Sequence, residues 1–479
     1  SSAAFEADLR GAQIDLPGEV WDKDAAAPGQ ARFVVQPGAG GSLNVTGITL
    51  QTPTWNGTGA ISVAAASRQA SGNISLNGYD VGFRWQGEAD GRGLLLTTLQ
   101  ADERMLAAFG YPVAPWVTGP MPMAFEVHTA RTSITDLQVS ANLRDAALRV
   151  PLYSKDPGAE AEAILGLSQS GGAFALRSFQ VSAPEFAATG TFVSGPDGAW
   201  QRIDVARLVL SETDTAGMIE RRPGGFAITA DGQALDLRSI LTGAAVGPAT
   251  AALPAVEVSG HFGRVLVAEG RWLSDVTASA LYSGGAWRRV NAGARLGNGS
   301  SVTFDLADAQ GGQDVTIRSP DAGELFSALG FFQGATGGTG EIKGKLNDEN
   351  GRTLTGTVRA ENFRIARAPA LAQLLAVASL TGTLDTLQGQ GIAFSSFEAP
   401  FRINATTLTL QQSRAVGQSL CITVEGTLRR AEGELNLGGV IVPLCPVNRL
   451  LGDIPLLGDL IVGEGIGATN YRVTGHTSS

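Results

Sequence analysis

The chain has 479 residues and a formal net charge of -10, which excludes the basic footprint that nucleic-acid binding requires and disfavours a general patch for anionic membranes. Its 63 glycines stand against 2 cysteines, 4 methionines and 3 histidines, with aromatics at 6% and charged residues at 17%, so turns are frequent and charged helices few. His128, His261 and His476 lie too far apart for a metal-ligand spacing, and no metal site is expected.

In chain order, "FEADL" opens as a strand with Phe5, Ala7 and Leu9 on one side. It lacks the basic start and apolar core of a signal peptide, and no run of about 18 apolar residues follows anywhere, so the chain reads as an excised piece entered in mid-fold. Strand-like alternation then recurs in "ARFVVQ", "SLNVTGITLQT", "AISVAA", "YDVGFRWQG", "MAFEVHT", "RIDVARLVL", "SVTFDLAD", "TLTGTVRA", "TTLTLQQS" and "ELNLGGVIV", each followed by a turn residue. Val81, Phe83 and Trp85 share one face of their strand, as do Val302, Phe304 and Leu306 of theirs. Phe394, Phe401, Leu408, Leu410, Leu435 and Leu437 join them as candidates for a greasy face, and sequence leaves open whether that face is a groove or a core. Short links between the strands predict antiparallel meanders, a mostly β chain, rather than strand-helix units.

Three segments break the pattern with helical periodicity: 101–110, 321–332 and 368–380. In the last, Pro369 suits the first turn and Leu371, Leu374, Leu375 and Ala378 form a stripe. Near the C-terminus, residues 446–462 read as two short amphipathic turns joined at Ile454–Pro455, because Gly452, Pro455 and Gly458 forbid one long helix. Leu450, Ile454, Leu457 and Ile461 form the stripe, with Leu460 beside it. This segment is expected to cap or dock on an apolar end of the sheet, although an ordinary core cap has the same signature.

Motifs for chemistry are missing. "GGTGEIKGK" and "GEGIGA" fail the spacing or the helix context of phosphate loops and serve as turn glycines. There is no G-x-S-x-G, no H-E-x-x-H and no cysteine with a histidine partner, so no enzyme activity and no cofactor are expected. Cys421 and Cys445 form either one disulfide or two buried thiols. A hairpin turning near 429–433 would set Cys445 opposite Gly417, so a bridge needs a bulge or fold-back.

From residue 321 onward the chain resembles the AsmA-like family of Gram-negative envelopes, its large YhdP-type members above all. The likeness rests on the order of "DAGELFSALGFFQGATGGTGEIKGKL", "ENFRIARAPALAQLLAVASLTGTLDTLQGQGIAFSSFEAPF", "RAVGQSLCITVEGTL" and "GGVIVPLCPVNRLLGDIPLLGDLIVGEGIGATNYRVTG". Weaker likeness occurs in "FEADLRGAQIDLPGEVWDK" and "GMIERRPGGFAITADGQALDLRSIL". The resemblance implies a long curved antiparallel sheet folded into an open apolar groove, β-taco-like, with few helices. It also implies a periplasmic body anchored to the inner membrane by a helix this chain lacks, and it makes a local disulfide of Cys421 and Cys445 more plausible, since Gly and an aromatic are expected there.

These expectations divide the chain into a groove-forming region 1–230, a continuing sheet 231–320 and an AsmA-like region 321–479. The function they imply is passage of phospholipid between inner and outer membranes along the groove, without chemistry, with envelope proteins as further possible partners. A structural or adhesive β-solenoid, or an envelope-assembly scaffold, is the alternative; uneven spacing and the helical interruptions count against a solenoid. A transmembrane barrel would need aromatic girdles that 6% aromatics do not supply.

Overall fold

The computed structural model describes residues 2–12, 14–15, 22–23, 26–53, 55–64, 67–76, 79–108, 111–130, 133–150, 152–170, 173–195, 199–241, 254–347, 353–366, 371–372, 375, 383, 387, 390–430, 432–443 and 468–476. Of the described residues 73% are in strands and 6% are helical. The chain divides into two compact units, the first running to Pro223 and the second beginning at Gly224. Residues 230 and 231 lie within the strand Gly225–Asp236.

In the first unit, hairpin follows hairpin. Ala3–Asp8 pairs with Gln30–Pro37, and then Leu43–Gln51, Trp55–Val63, Ser67–Leu76, Tyr79–Glu88, Arg92–Ala101 and Met121–Ala130 each lie antiparallel to the one before. Ser133–Asn142, Glu162–Ser170, Ala173–Ala183, Phe186–Ser194, Trp200–Leu210 and Thr213–Arg222 continue the meander. Antiparallel strands can be joined by turns of a few residues, which is what frequent glycine allows.

One rim of this sheet carries a small lobe. The helix Glu103–Ala108 and the short strands Val117–Thr118, Ala147–Val150 and Tyr153–Lys155 enclose Met121, Leu143, Ala146, Leu148 and Ala161. Lys155, 5% exposed, donates to the carbonyls of Arg144, Ala146 and Asp156 at 3.0, 2.8 and 3.0 Å, so that its buried ammonium is fully engaged. Burial still holds this ammonium's pKa below its ordinary value.

The second unit begins with the exception to antiparallel order. Gly225–Asp236 runs parallel to Ala255–Ala268, and a parallel pair needs a crossover rather than a hairpin. The helix Arg238–Leu241 opens that connection. Arg271–Ser283, Ala286–Arg295, Ser301–Ala309, Gly312–Ser319, Thr339–Asn347 and Thr353–Ile365 then pair antiparallel in turn. Ile392–Ile403, Thr407–Gly417, Leu420–Arg429, Glu434–Pro443 and Thr469–His476 complete the unit.

Helices appear where periodicity placed two of them, at Glu103–Ala108 and Ala322–Ala328. Asp321 caps the second by accepting from the Glu324 amide at 3.0 Å. In the third segment Leu371, Ala372 and Leu375 are helical, while Leu374 and Ala378 lie outside the described residues. So do residues 446–462, with Leu450, Ile454, Leu457, Leu460 and Ile461, and Cys445. Among the described residues no helix is long and apolar enough to cross a membrane.

The largest core belongs to the second unit, where helix Ala322–Ala328 and the helical Leu375 and Leu387 pack with Ile342, Ala360, Phe363, Ile392, Phe394 and Phe401. Phe363 stacks on Phe394 with ring centroids 5.4 Å apart, and Phe326 meets Phe397 edge-on at 6.2 Å. The opposite faces of the strands carry exposed cross-strand ion pairs such as Arg207–Asp214 at 3.1 Å and Arg359–Glu398 at 2.9 Å. Each contributes about 0–1 kcal/mol, so stability resides in the apolar side. Phe394→Ala, which empties a site only 1% exposed, is expected to cost about 3–5 kcal/mol; a urea midpoint unchanged from the parent would contradict this core.

Candidate functional site

Residues directly opposite on paired strands project to the same face, so the registers trace apolar rows across each unit. In the first unit one row runs Gly59–Gly72–Phe83–Thr97–Phe125–Val139–Leu165–Phe179–Gly190–Val205. Beside it lie Ile61–Ala70–Trp85–Leu95–Val127–Leu137–Leu167 and Ile74–Val81–Leu99–Met123–Ala141–Ala163–Val181. Phe179 and Phe192 touch edge to face at 5.4 Å, which places both on this side.

These side chains are neither sealed nor free. Val81, Phe83, Trp85, Leu95, Phe125, Leu165 and Phe179 are all half-buried, and Ile61 is 38% exposed. Only scattered members such as Val127 and Val139, at 8% each, are buried. A single layer gives each side chain its neighbours on the sheet but leaves its tip without a covering layer, and that is the pattern among the described residues.

The strand backbones approach closely at Gly72. A Cβ there would stand 2.0 Å from the Thr58 carbonyl oxygen and 3.0 Å from Cε1 of Phe83, so only glycine fits opposite Gly59. In the second unit Gly356 is held the same way, a Cβ falling 2.2 Å from the Lys343 oxygen.

That unit has its own row, Val290–Leu306–Val315–Gly344–Gly356–Phe401–Leu410–Gly426–Leu437–Val473. It brings Leu306, Phe401, Leu410 and Leu437 together on one face. Leu408, through Leu428, lines up with Leu435 on the same side. Yet the fates of the sequence candidates differ. Val302 and Leu306, at 9% and 8%, and Phe394 and Phe401, at 1% and 4%, are core. Phe304, Leu408, Leu410, Leu435 and Leu437 are half-buried, and Leu408 and Leu410 pack against the large core. Val81, Phe83 and Trp85 alone lie on the broad half-covered face of the first unit.

Phe125 lies in "MAFEVHT", whose alternation marked a strand without singling out this residue. Leu95, inside "LLL" at 94–96, and Leu165, beside Ile164, were missed because adjacent apolar residues blur the period of two, whereas Leu99 in "TTLQA" and Phe179 in "RSFQVS" alternate cleanly and could have been found from that signal.

Among the described residues, polar groups gather at a few separate places. A cavity of about 840 Å³ in the second unit is lined both by Leu410, Gly426 and Tyr471 and by Thr409, Gln411, Thr427, Asn436 and Arg472, with Glu425 as its one described carboxylate. Tyr471 at its edge donates to the Thr423 carbonyl at 2.8 Å, and burial raises its phenol above the ordinary range. His128 pairs with Glu126 at 3.0 Å and His261 with Asp275 at 3.1 Å, both exposed. Among the described residues no group of His, Cys, Asp and Glu could hold a metal ion. Cys421 is disulfide-bonded and 2% exposed. Its strand neighbour is Val442.

Comparison of the chain with protein-family models, curated proteins and solved structures finds no match.

Ser413 is the one polar side chain among the described residues that is fully buried with no hydrogen-bond partner, at 0% exposure opposite Val424. An orphaned buried hydroxyl costs about 1–3 kcal/mol. Ser413→Ala should therefore raise the thermal or urea midpoint; a lowered midpoint would show that the hydroxyl is bonded in solution.

Proposed function

We propose that this chain carries lipid, with acyl chains lying on the half-covered apolar face and headgroups in water at its rim. The observation that supports this reading is the set of adjacent apolar rows through Phe83, Phe125, Leu165 and Phe179, continuous across many strands yet half-buried at most of their positions. Each CH₂ taken out of water contributes about 0.8 kcal/mol, so an acyl chain laid along such a face gains on the order of 10 kcal/mol before ordering costs. Because successive rows are chemically alike, a tail can shift from one to the next without a large change in free energy, and directed chemistry is not needed.

Joined to the AsmA-like resemblance, this becomes the carriage of phospholipid between inner and outer membranes by a periplasmic bridge anchored at the inner membrane. The antiparallel meander weighs against an adhesive solenoid, whose coils stack parallel.

Lipid extraction and native mass spectrometry of protein purified from membranes should recover stoichiometric phospholipid. The double variant Phe83→Asp/Phe125→Asp should lose most of it while retaining its β circular-dichroism spectrum. Equal recovery from variant and parent, or none from the parent while a control lipid-binder stays loaded, would refute the carrier reading.

A further inference from the structure

We propose that one rim of the first unit's apolar face holds a phosphate-binding site centred on Arg221, which takes the phosphodiester of a lipid whose tails lie on that face; the inference rests on the carrier reading above. A cavity of about 490 Å³ lies at this strand end; Arg221 lines it from the apolar side, whereas Val193, Arg202, Glu220 and Arg222 alternate with Phe192, Ile203, Ile219 and Arg221 and belong to the opposite side.

Their pairings set Arg221 apart. Arg202 is held by Asp204 at 3.0 Å and Arg222 by Glu220. Arg221 makes no ion pair among the described residues; its guanidinium lies over the Trp200 ring, 5.6 Å from the centroid. Stacking on an aromatic face steadies a guanidinium while leaving its N–H edge free to donate. The forked donors of arginine match phosphate oxygens, and charge-assisted bonds of this type are roughly twice as strong as neutral ones.

Position along the strand links this charge to the greasy rows. Ile203 pairs with Ile219 and with Phe192, so all three belong to the apolar side. Arg221 follows Ile219 by two residues and therefore projects from the same side, about 7 Å nearer the strand end. Apolar surface gives way to an uncompensated cation within one side-chain repeat, which is the order of groups in a phospholipid read from tail to head. The same rim repeats the arrangement at Arg68, two residues from the row-forming Ala70 and opposite Gly87, again with no ion pair among the described residues.

The test compares loading of the full chain from vesicles of dioleoyl phosphatidylglycerol with loading from vesicles of dioleoyl phosphatidylcholine doped with dioleoylglycerol, which lacks the phosphate, each species quantified by native mass spectrometry. Inorganic phosphate is titrated in parallel. The parent should take up the phosphatidylglycerol at least about tenfold better than the diacylglycerol, as expected for one charge-assisted contact. Arg221→Gln should abolish that preference without changing diacylglycerol uptake, Arg221→Lys should retain part of it, and millimolar phosphate should not compete. Equal loading of both lipids by the parent, or an undiminished preference in Arg221→Gln, overturns the site. Arg221-dependent binding of inorganic phosphate that displaces lipid overturns the headgroup assignment in favour of a free-anion site. Failure of the parent to load either lipid defeats the carrier reading and this inference with it, whereas loss of preference alone leaves the carrier reading standing.

Discussion

An apolar face on a single layer of sheet is the constraint on which this protein's organisation depends. A strand pair satisfies its own hydrogen bonds but covers its side chains only from the flanks, so an apolar face needs a second layer, a neighbouring molecule or a ligand to leave water completely. The two units answer that need differently. In the second, the capped helix Ala322–Ala328 and the helical Leu375 and Leu387 lie among Phe363, Phe394 and Phe401 and seal that part of the face. In the first, the described residues supply a cover only at the rim lobe around Met121 and Leu148, and the rows through Phe83 and Phe179 stay half-buried.

This contrast explains why residues with the same local pattern have unlike surroundings. Val302-Phe304-Leu306 and Val81-Phe83-Trp85 are equivalent as alternating triplets. Val302 packs with Leu296 and Leu325, whose side chain comes from the covering helix, whereas the half-buried Trp85 stands opposite Ala70 and Leu95 and lies against Gly87 and Gly93 of the same sheet. Whether a greasy residue is core or open surface is thus decided by an element distant in sequence. The same logic governs the glycines: Gly72 and Gly356 are required by a neighbouring carbonyl, not by a turn.

Charge is distributed to suit a face of this kind. Exposed ion pairs occupy the opposite side of the strands and add little stability individually, but they keep that side wet and so fix which side can hold hydrocarbon. Arg221 and Arg68 stand where the apolar rows reach the rim, and their lack of carboxylate partners among the described residues gives the boundary a polarity that the rows themselves lack. In the lobe, Lys155 shows the alternative use of a cation, buried and spent entirely on backbone carbonyls.

Much of this was legible in the amino-acid order. Period-two alternation, turn glycines and two helical interruptions specified a mostly β, antiparallel meander with one greasy and one wet side, because side-chain direction along a strand is a local property. Only the tertiary structure decided that Phe394 and Phe401 are core while Phe83 and Trp85 lie half-covered, that Gly225–Asp236 takes a parallel partner, and that Arg221 reaches the end of an apolar row. Those outcomes depend on which strand lies beside which and what packs on top, and pairings between distant segments leave no periodic mark in the residues that make them.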